Sequence, residues 1–276
     1  MGKLIAMDLD GTLLPEGTFL QNPEYFDVLH KLHDLGHVIV AASGRHYSSM
    51  RLLLEPVFED LIFLCGNGGF VICRDVPMDM KSLPDDLYLN VLSEMRQTGG
   101  FVCADTPQAV CTDSQDEDFI RQMSGGYRMN LRKVPDLAEL SYEGRMEFEP
   151  GHKRGILKVA LRTEKDAAPL AEKIRSQYGD RANIMTSGEK WVDCVPLGAD
   201  KGIALSRIQK QLGFTKDQTI AFGDNGNDIG MLKQAGESYC VENGREETKR
   251  AAGHVIGPME DDSVLKVLKT LLRKEA

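Results

Sequence analysis

Acidic side chains follow directly after short apolar segments of this sequence. Asp8 and Asp10 come at the end of the apolar run 4–7, and Asp224 and Asp228 follow a later apolar run. Because ligands bind at the carboxyl ends of the strands in open parallel sheets, we expect these side chains to converge at one edge of a sheet. Carboxylates gathered without arginine partners favour a hard cation, and Mg²⁺ takes oxygen ligands of this kind. The pattern therefore predicts a Mg²⁺ site.

Two aspartates separated by a single residue can divide the work of phosphoryl transfer. Asp8 can attack a phosphoryl group as a carboxylate nucleophile and form an aspartyl-phosphate intermediate. Asp10 can protonate the departing alkoxide and then deprotonate the water that cleaves the intermediate. Mg²⁺ would neutralise charge between the nucleophile and the phosphoryl oxygens.

Other residues near these acids are suited to hold the remaining phosphate oxygens. Ser43 follows the β-branched run 38–40, Lys201 begins a predicted helix, and Thr12 lies in the turn after the first acids. Gly11 allows the backbone to turn sharply beside the phosphate. Backbone N–H groups in that turn would complete the phosphate site.

These residues must be positioned by strands and helices that alternate at both ends of the chain. Short apolar runs separated by helical patterns in 1–80 and 189–276 predict parallel strands with crossover helices. The middle segment, 81–188, has paired strands, one of them at 146–149, and is long enough to form a small domain of its own. We therefore predict an α/β fold, a Rossmann-like parallel-sheet core with an inserted α+β domain.

The composition is that of an ordinary globular protein with a surplus of acids. The 276 residues contain 33 Lys+Arg and 42 Asp+Glu, for a net charge of −9, which disfavours a nucleic-acid binder. No segment approaches the roughly 20 apolar residues of a membrane span, and no signal peptide is recognisable. Six cysteines without a CxxC pair are typical of a reduced cytosolic protein. We therefore expect a cytoplasmic monomer or homodimer that binds neither nucleic acid nor membranes.

Four motifs occur in the order typical of one enzyme family. Asp-Leu-Asp-Gly-Thr-Leu at 8–13 resembles the first motif of the haloacid dehalogenase-like phosphatases, and Ser-Gly-Arg at 43–45 resembles the second. Lys-Gly at 201–202 resembles the third motif, and Gly-Asp-Asn-Gly-Asn-Asp at 223–228 resembles the fourth. All four in order, at strand or helix boundaries, form a specific signal.

The position of the inserted segment is similar to that of one subgroup. Residues 14–42, between the first two motifs, are too few for a domain, whereas 46–200 separate the second motif from the third. A large cap domain in that place resembles the Cof-type phosphatases of the type II cap class, and Asn-Gly-Gly at 67–69 looks like that subgroup as well. The resemblance implies a site between core and cap, with cap movement admitting the substrate.

The resemblance also implies a role for each matched residue. Asp8 would be the nucleophile and Asp10 the general acid and base. Mg²⁺ would be held by Asp8, the Asp10 carbonyl and Asp224, with Asp228 supporting the ion through its water shell and Asn67 lying near the site. The residues expected to contact the phosphate or the substrate are Leu9, Gly11, Thr12, Ser43, Gly44, Lys201 and Asn227.

The interpretation is a Mg²⁺-dependent phosphatase of small phosphorylated metabolites, such as sugar phosphates or nucleotide- and cofactor-like monoesters. Two alternatives stay open: a phosphomutase on the same fold, and a catalytically silent binding or regulatory protein. A phosphorylated receiver domain also gathers acids at strand ends, but its single small domain would leave the inserted segment unexplained.

Substrate contacts from the inserted domain are less evident in the sequence. Trp191 is expected to pack inside that domain, and Arg45 is expected to be structural or at the surface. Most charged residues are solvated, so few of the inserted domain's cations are expected at a site. The cationic side chains that could meet an anionic substrate are Arg121, Arg128, Arg145, His152, Lys153 and Arg154.

Overall fold

Two β-sheets with helices packed on them organise the protein. The computed structural model describes residues 2–126, 130–142, 151–187 and 190–275. The first sheet is built from both ends of the chain, and the second is built from the middle. The predicted α/β class, with a parallel-sheet core and an inserted α+β segment, is confirmed.

The core sheet has eight strands within the described residues. Their spatial order is β14 (His254–Ile256), β13 (Glu237–Val241), β12 (Thr219–Gly223), β1 (Leu4–Asp8), β2 (Val38–Ala42), β3 (Leu61–Cys65), β4 (Phe70–Cys73) and β5 (Val76–Met80). The strands from β14 to β3 run parallel, while β4 and β5 are antiparallel additions. The first strand of the chain therefore lies inside the parallel part of the sheet.

The described helices belong to both parts of the chain. In chain order they are α1 (Glu24–Asp34), α2 (Tyr47–Leu53), α3 (Asp85–Arg96), α4 (Glu117–Gly126), α5 (Ala168–Tyr178), α6 (Lys201–Leu212), α7 (Ile229–Gln234), α8 (Glu246–Ala251) and α9 (Ser263–Glu275). None of these combines the length and the apolar character that crossing a bilayer requires.

Helices cover both faces of the core sheet, which explains why the core strands are apolar throughout. All five residues of β1 are buried, and successive side chains point to opposite faces. Ile5 packs in one hydrophobic cluster with Leu29 of α1, and Leu4 packs in another with Leu205 of α6. The sheet is thereby held between two helical layers, and its strand ends remain the place where polar groups can gather.

The second sheet also has helices on it, but one face carries a smaller apolar cluster. Its described strands are, in spatial order, β10 (Ala182–Thr186), β11 (Trp191–Pro196), β9 (Lys158–Arg162), β6 (Phe101–Asp105), β7 (Val110–Thr112) and β8 (Leu131–Lys133). All neighbours are antiparallel except β7 and β8. Buried residues of α3 and α5 pack on one face, whereas Phe101, Cys103 and Trp191 cluster on the other.

The second sheet extends beyond the end predicted for the inserted domain. The predicted boundary between 188 and 189 lies outside the described residues, as does the predicted strand 146–149. β11 follows that boundary, yet it pairs with β10 and β9, so the second sheet continues to Pro196.

Three strands of the core sheet were not predicted. The strands β4 and β5 form a hairpin whose connecting residues, Arg74 and Asp75, have φ angles of 48° and 60°. Such turns usually contain Asn-Gly or Asp-Gly. Because Arg-Asp lacks this pattern, the sequence did not indicate a hairpin. The third is β13, which joins the parallel part of the sheet beside β12.

Candidate active site

The carboxyl ends of four neighbouring core strands bring polar side chains to one edge of the sheet. Asp8 ends β1 and Ser43 follows β2. Asn67 follows β3, and Asp224 follows β12. Because these strands are adjacent and parallel, residues from distant parts of the sequence meet there.

Lys201 is buried at the start of α6 and contacts two of the acids. Asp200 caps this helix by accepting a hydrogen bond from the Ile203 N–H at 2.9 Å, which places Lys201 in the first turn. The Lys201 Nζ lies 2.5 Å from Asp8 Oδ1 and 2.6 Å from Asp228 Oδ1. Burial opposes the charge, but the carboxylates of Asp228 and Asp8 hold the pKa of Lys201 above its usual range. Lys201 is therefore a fixed positive charge beneath Asp8.

Asp228 uses both carboxylate oxygens to hold the loop after β12. Its Oδ2 accepts hydrogen bonds from the backbone N–H groups of Asp224 and Asn225, each at 3.0 Å, and its Oδ1 accepts from Lys201. Gly223 lies so close to Asp228 that a Cβ there would approach its Cβ to 2.5 Å. This arrangement suits Asp228 to support the site rather than to bind a ligand directly.

Three carboxylates form the cluster within the described residues that could hold a metal ion. One oxygen from each of Asp8, Asp224 and Asp228 lies within 4.8 Å of the others. Asp8 Oδ2 is buried and has no hydrogen-bond partner among the described residues. Burial and the charge of Asp228 raise the pKa of Asp8 well above its usual range, against the opposing charge of Lys201.

Asp224 shares this electrostatic environment. Burial and the charge of Asp228 raise the pKa of Asp224 to about 6, while a 3.0 Å hydrogen bond from Thr12 Oγ1 to its Oδ1 acts in the opposite direction. Mutually repelling buried carboxylates are stabilised by a bound cation. The donor set is composed of carboxylate oxygens, which fits Mg²⁺.

The turn after β1 is packed directly against Asp224. Gly11 has a φ of +86°, and a Cβ at this position would come within 2.5 Å of Asp224 Oδ2. The side chain of Asn243 donates to the Gly11 carbonyl at 2.8 Å. Leu9 buries its side chain in the core, so only its backbone can serve the predicted phosphate site. Glycine at position 11 therefore permits both the turn and the close approach.

Asp10 is held in an ion pair with Arg45. Arg45 Nε lies 2.7 Å from Asp10 Oδ2, and Nη2 lies 2.6 Å from Oδ1, which is a bidentate arrangement. Arg45 is buried, and it also donates to the Thr18 carbonyl at 3.0 Å. The expectation of a structural or surface role for Arg45 therefore overlooked its contact with a candidate catalytic acid.

The remaining predicted site residues contact one another in the loops after β2, β3 and β12. Asn227 Nδ2 donates to Asn67 Oδ1 at 2.9 Å, while Asn67 Nδ2 and Asn227 Oδ1 are buried without a hydrogen-bond partner in the part of the chain that is described. Asn67 has a φ of 57°, and a Cβ at Gly44 would lie 3.2 Å from its side chain. Ser43 Oγ accepts a hydrogen bond from the Arg45 N–H at 3.1 Å. Ser43, Gly44 and Asn227 border one cavity together with Asp8, Asp10 and Asp224.

That cavity, of about 160 Å³, lies between the core edge and the second sheet. Two hydrogen bonds cross the boundary near it: Lys158 Nζ donates to the Gly44 carbonyl at 3.1 Å, and His46 Nε2 to the Thr106 carbonyl at 2.8 Å. The second sheet and its neighbouring loop contribute Cys103, Asp105, Val110, Lys158, Ala160, Ser187, Trp191 and Asp193 to the cavity wall.

The cations predicted to meet a substrate are not the ones that border the cavity. Arg121 is paired with Asp118 on the exposed face of α4, and Arg154 donates to backbone carbonyls of the second domain. His152 and Lys153 also lie elsewhere, while Arg128 and Arg145 fall outside the described residues. Sequence reasoning missed Lys158, for which a charged residue directly before the apolar run 159–161 was the available signal.

Comparison with known proteins agrees with this arrangement. Residues 5–268 match the family of haloacid dehalogenase-like hydrolases. The chain therefore belongs to the haloacid dehalogenase-like hydrolases. Its expected place among the Cof-type phosphatases with a type II cap is confirmed, as is the enzyme class, a phosphatase that hydrolyses phosphoric monoesters.

Two relatives cover nearly the whole chain. The 5-amino-6-(5-phospho-D-ribitylamino)uracil phosphatase YbjI of Escherichia coli (strain K12) is 25% identical over 276 residues, which cover 99% of this chain and 97% of that protein. The HMP-PP phosphatase of Yersinia pestis (strain Pestoides F) is 27% identical over 268 residues, 96% of this chain and 93% of that protein.

Solved structures share the two-part architecture. A crystal structure from Eubacterium rectale superposes with a TM-score of 0.82 at 29% identity, covering 98% of this chain and 99% of that chain. The subclass IIB sugar phosphatase BT4131 superposes with a TM-score of 0.77 at 18% identity over 98% of both chains. The second of these similarities concerns the fold alone.

Proposed function

We propose that this protein is a Mg²⁺-dependent phosphatase of small phosphorylated metabolites, acting through an aspartyl-phosphate intermediate on Asp8. The observation that carries this proposal is the difference between the contacts of the two Asp8 carboxylate oxygens. Lys201 holds its Oδ1 at 2.5 Å, while Oδ2 is buried, lacks a described hydrogen-bond partner and belongs to a residue that borders the cavity. A fixed carboxylate of this kind is suited to attack phosphorus.

The phosphate is proposed to lie between Asp8 and the polar groups that surround it. Ser43 borders the cavity and can donate its hydroxyl proton, and the unpartnered Nδ2 of Asn67, close to Gly44, is a second donor. Lys201 keeps a positive charge at the base of the site. Fixed donors aimed at developing charge stabilise the transition state.

Asp10 is proposed to move the proton. In the first step the Asp8 oxygen bonds to phosphorus, the bond from phosphorus to the leaving-group oxygen breaks, and Asp10 protonates that oxygen. In the second step Asp10 accepts a proton from the water that attacks the phosphorus and frees Asp8. Its bidentate pair with Arg45 holds Asp10 in place, so the carboxyl must turn from Arg45 to reach the leaving group.

Mg²⁺ is proposed to bind at Asp8, the Asp10 carbonyl and Asp224. The fit rests on the buried Asp8 Oδ2 without a described partner and on the raised pKa values of Asp8 and Asp224. When bound, the ion would neutralise charge between the nucleophile and the phosphoryl oxygens. Asp228, whose two oxygens already accept hydrogen bonds, would support the ion through its water shell.

The names of the relatives support small phosphorylated metabolites as substrates. One relative is named for a phosphorylated ribitylaminouracil and the other for HMP-PP. We propose that this chain acts on monoesters of that size, including sugar phosphates and nucleotide- or cofactor-like compounds. The cytoplasmic location and the monomeric or homodimeric state stay predictions.

The test is phosphate release from a panel of monoesters, with Mg²⁺ or with EDTA. We expect release with Mg²⁺, none after full chelation, and acid-stable phosphate on the Asp8 peptide of quenched protein. The absence of release from every ester would favour the catalytically silent alternative. Return of the phosphoryl group to the substrate through a bisphosphate, in place of phosphate release, would favour the phosphomutase.

A further inference from the structure

Three charged residues of the second sheet lie side by side over the site, and we name Asp105, Lys158 and Asp193 the acid–lysine cluster. They belong to the adjacent strands β6, β9 and β11, with Asp105 directly opposite Lys158 in the strand register. All three are buried and border the cavity. Charged groups are seldom buried without a structural or functional reason.

The ammonium of Lys158 makes one hydrogen bond and pairs with two carboxylates. Its Nζ lies 3.1 Å from the Gly44 carbonyl, 3.4 Å from Asp105 Oδ2 and 3.9 Å from Asp193 Oδ2. A lysine has three N–H donors, and three protein oxygens surround this one. With two carboxylates around one ammonium, the cluster carries more negative than positive charge, which disfavours a second phosphate or a carboxylate of the substrate.

The acid–lysine cluster also contains a buried hydrogen-bond acceptor without a described partner. Asp105 Oδ1 is buried and lacks a hydrogen-bond partner within the described residues, whereas Asp193 Oδ2 accepts from Ser187 Oγ at 2.9 Å. A buried acceptor without a partner is costly, and a ligand that brings a donor removes that cost. The cluster thus favours a hydroxyl or amino group over another anion.

The wall beside the cluster is apolar. Cys103 and Ala160 lie on the same face of the sheet as Asp105, next to Val110 and Trp191. A carbon skeleton with its polar groups turned toward Asp105 fits this wall.

We infer that the acid–lysine cluster selects the leaving group of the reaction. It accepts an uncharged leaving group that carries hydroxyl or amino donors and rejects one that carries a second phosphate or a carboxylate. This inference rests on the proposed function, because the cavity receives a leaving group only if phosphate binds at Asp8. Asp105 is the specificity-determining residue, since it borders the cavity and its Oδ1 has no partner within the described residues.

The test uses three phosphate esters with the same six-carbon chain. Sorbitol 6-phosphate carries hydroxyl donors, hexyl phosphate carries none, and 6-phosphogluconate ends in a carboxylate. For the wild-type enzyme with Mg²⁺, each ester is measured as substrate and as competitor of the best ester of the panel. We expect sorbitol 6-phosphate to exceed both others by about tenfold to a hundredfold in kcat/KM or in affinity, as expected for a hydrogen bond to a charged group.

The variant Asp105→Asn keeps the shape and removes the charge. We expect it to lower kcat/KM for sorbitol 6-phosphate by about tenfold, to change hexyl phosphate by less than about threefold, and to weaken the discrimination against 6-phosphogluconate. The matched control is Asp118→Asn, an exposed residue of α4 that is remote from the cavity wall, and it should leave all three values unchanged.

The outcomes separate the inference from the proposed function. Turnover of monoesters without discrimination among the three chains would overturn the inference and leave the proposed function standing. An equal loss for all three esters in Asp105→Asn would also overturn it. If Asp105→Asn does not fold, the wild-type ranking decides alone. No phosphate release from any ester, with Mg²⁺ present, would overturn the proposed function and the inference together.

Discussion

At the scale of single residues, the two oxygens of Asp8 have different surroundings. Oδ1 accepts a short hydrogen bond from Lys201, and Oδ2 has no partner within the described chain. We expect Asp8→Asn to reduce turnover by at least about 10⁴-fold, because the amide is no nucleophile, while the thermal midpoint does not fall. The exposed Asp27→Asn serves as control in steady-state kinetics and thermal unfolding. Retained activity in Asp8→Asn would refute the nucleophile assignment.

If Asp10 transfers the proton, the loss of rate on its substitution should depend on the basicity of the leaving group. We expect Asp10→Asn to lower kcat by about 10²–10⁴-fold for an alkyl phosphate, whose alkoxide must be protonated as it leaves. The loss in the aspartyl-phosphate-forming step should be much smaller for p-nitrophenyl phosphate, whose phenolate leaves without a proton. Single-turnover rates for both esters measure this difference. Equal losses would assign Asp10 a merely structural part through Arg45.

The raised pKa of Asp224 makes stability depend on pH. A folded-state pKa of about 6, above the usual 3.8, means that its contribution to stability is present below pH 3.8 and is lost as pH rises through 6. Without metal, the thermal midpoint of the wild type should therefore fall relative to Asp224→Asn between pH 5 and pH 7.

Mg²⁺ should reverse this loss, because it binds the ionised carboxylates. We expect added Mg²⁺ to raise the thermal midpoint of the wild type more at pH 7 than at pH 5, and to raise that of Asp224→Asn little at either pH. Thermal scans with Mg²⁺ and with EDTA measure both effects. Equal Mg²⁺ shifts at the two pH values would contradict a metal site built on Asp224.

At the scale of elements, the turn after β1 depends on Gly11. Gly11→Ala introduces strain at a φ of +86° and a Cβ contact of 2.5 Å with Asp224 Oδ2. Gly36→Ala is a matched control, since Gly36 has a φ of +85° with nothing within 4 Å. Both should cost about 1–2 kcal/mol of stability from backbone strain.

Only Gly11→Ala should also displace Asp224. We therefore expect it to lose the stabilisation by Mg²⁺ and most phosphatase activity, while Gly36→Ala keeps both. Thermal unfolding with and without Mg²⁺ reads out the difference. An unchanged Mg²⁺ shift in Gly11→Ala would show that the close approach of the turn to Asp224 is not needed for the site.

The elements also show what the sequence could predict. Asp8, Ser43 and Asp224 directly follow apolar strands, and the topology of parallel sheets places such residues at one edge. Lys158 and Asp193 lie within strands of the second sheet, where their meeting depends on the pairing of β9 with β11. A single sequence does not specify that register, and so the acid–lysine cluster could not be predicted.

At the scale of the whole molecule, the two sheets are joined by hydrogen bonds near the site. His46 Nδ1 accepts from the Ser48 N–H at 3.1 Å, so Nε2 carries the proton that it donates to the Thr106 carbonyl at 2.8 Å. Burial lowers the pKa of His46, which favours this neutral ring. The imidazole thus connects the second sheet to the core loop that contains Ser43.

Removing the hydrogen bond between His46 and Thr106 should increase local opening of the second sheet. We expect His46→Ala to increase amide hydrogen exchange in 101–112, because the Thr106 carbonyl loses a buried hydrogen bond, while exchange in α9 stays the same. Exchange measured by mass spectrometry tests this, with the exposed His30→Ala as control. Identical exchange in 101–112 for His46→Ala and the wild type would mean that the contact does not restrain the cap.

The order of the core strands has a consequence for how the protein is made. Thr12 and Asp224, which share a hydrogen bond, are 212 residues apart, because β1 pairs with β12. A ribosome adding about 5–20 residues per second releases β1 roughly ten to forty seconds before its partner strand. The second sheet lies in one continuous stretch, so it can fold during that interval. Asp8, the proposed nucleophile, is thus synthesised well before the residues of the β12 end that complete its surroundings.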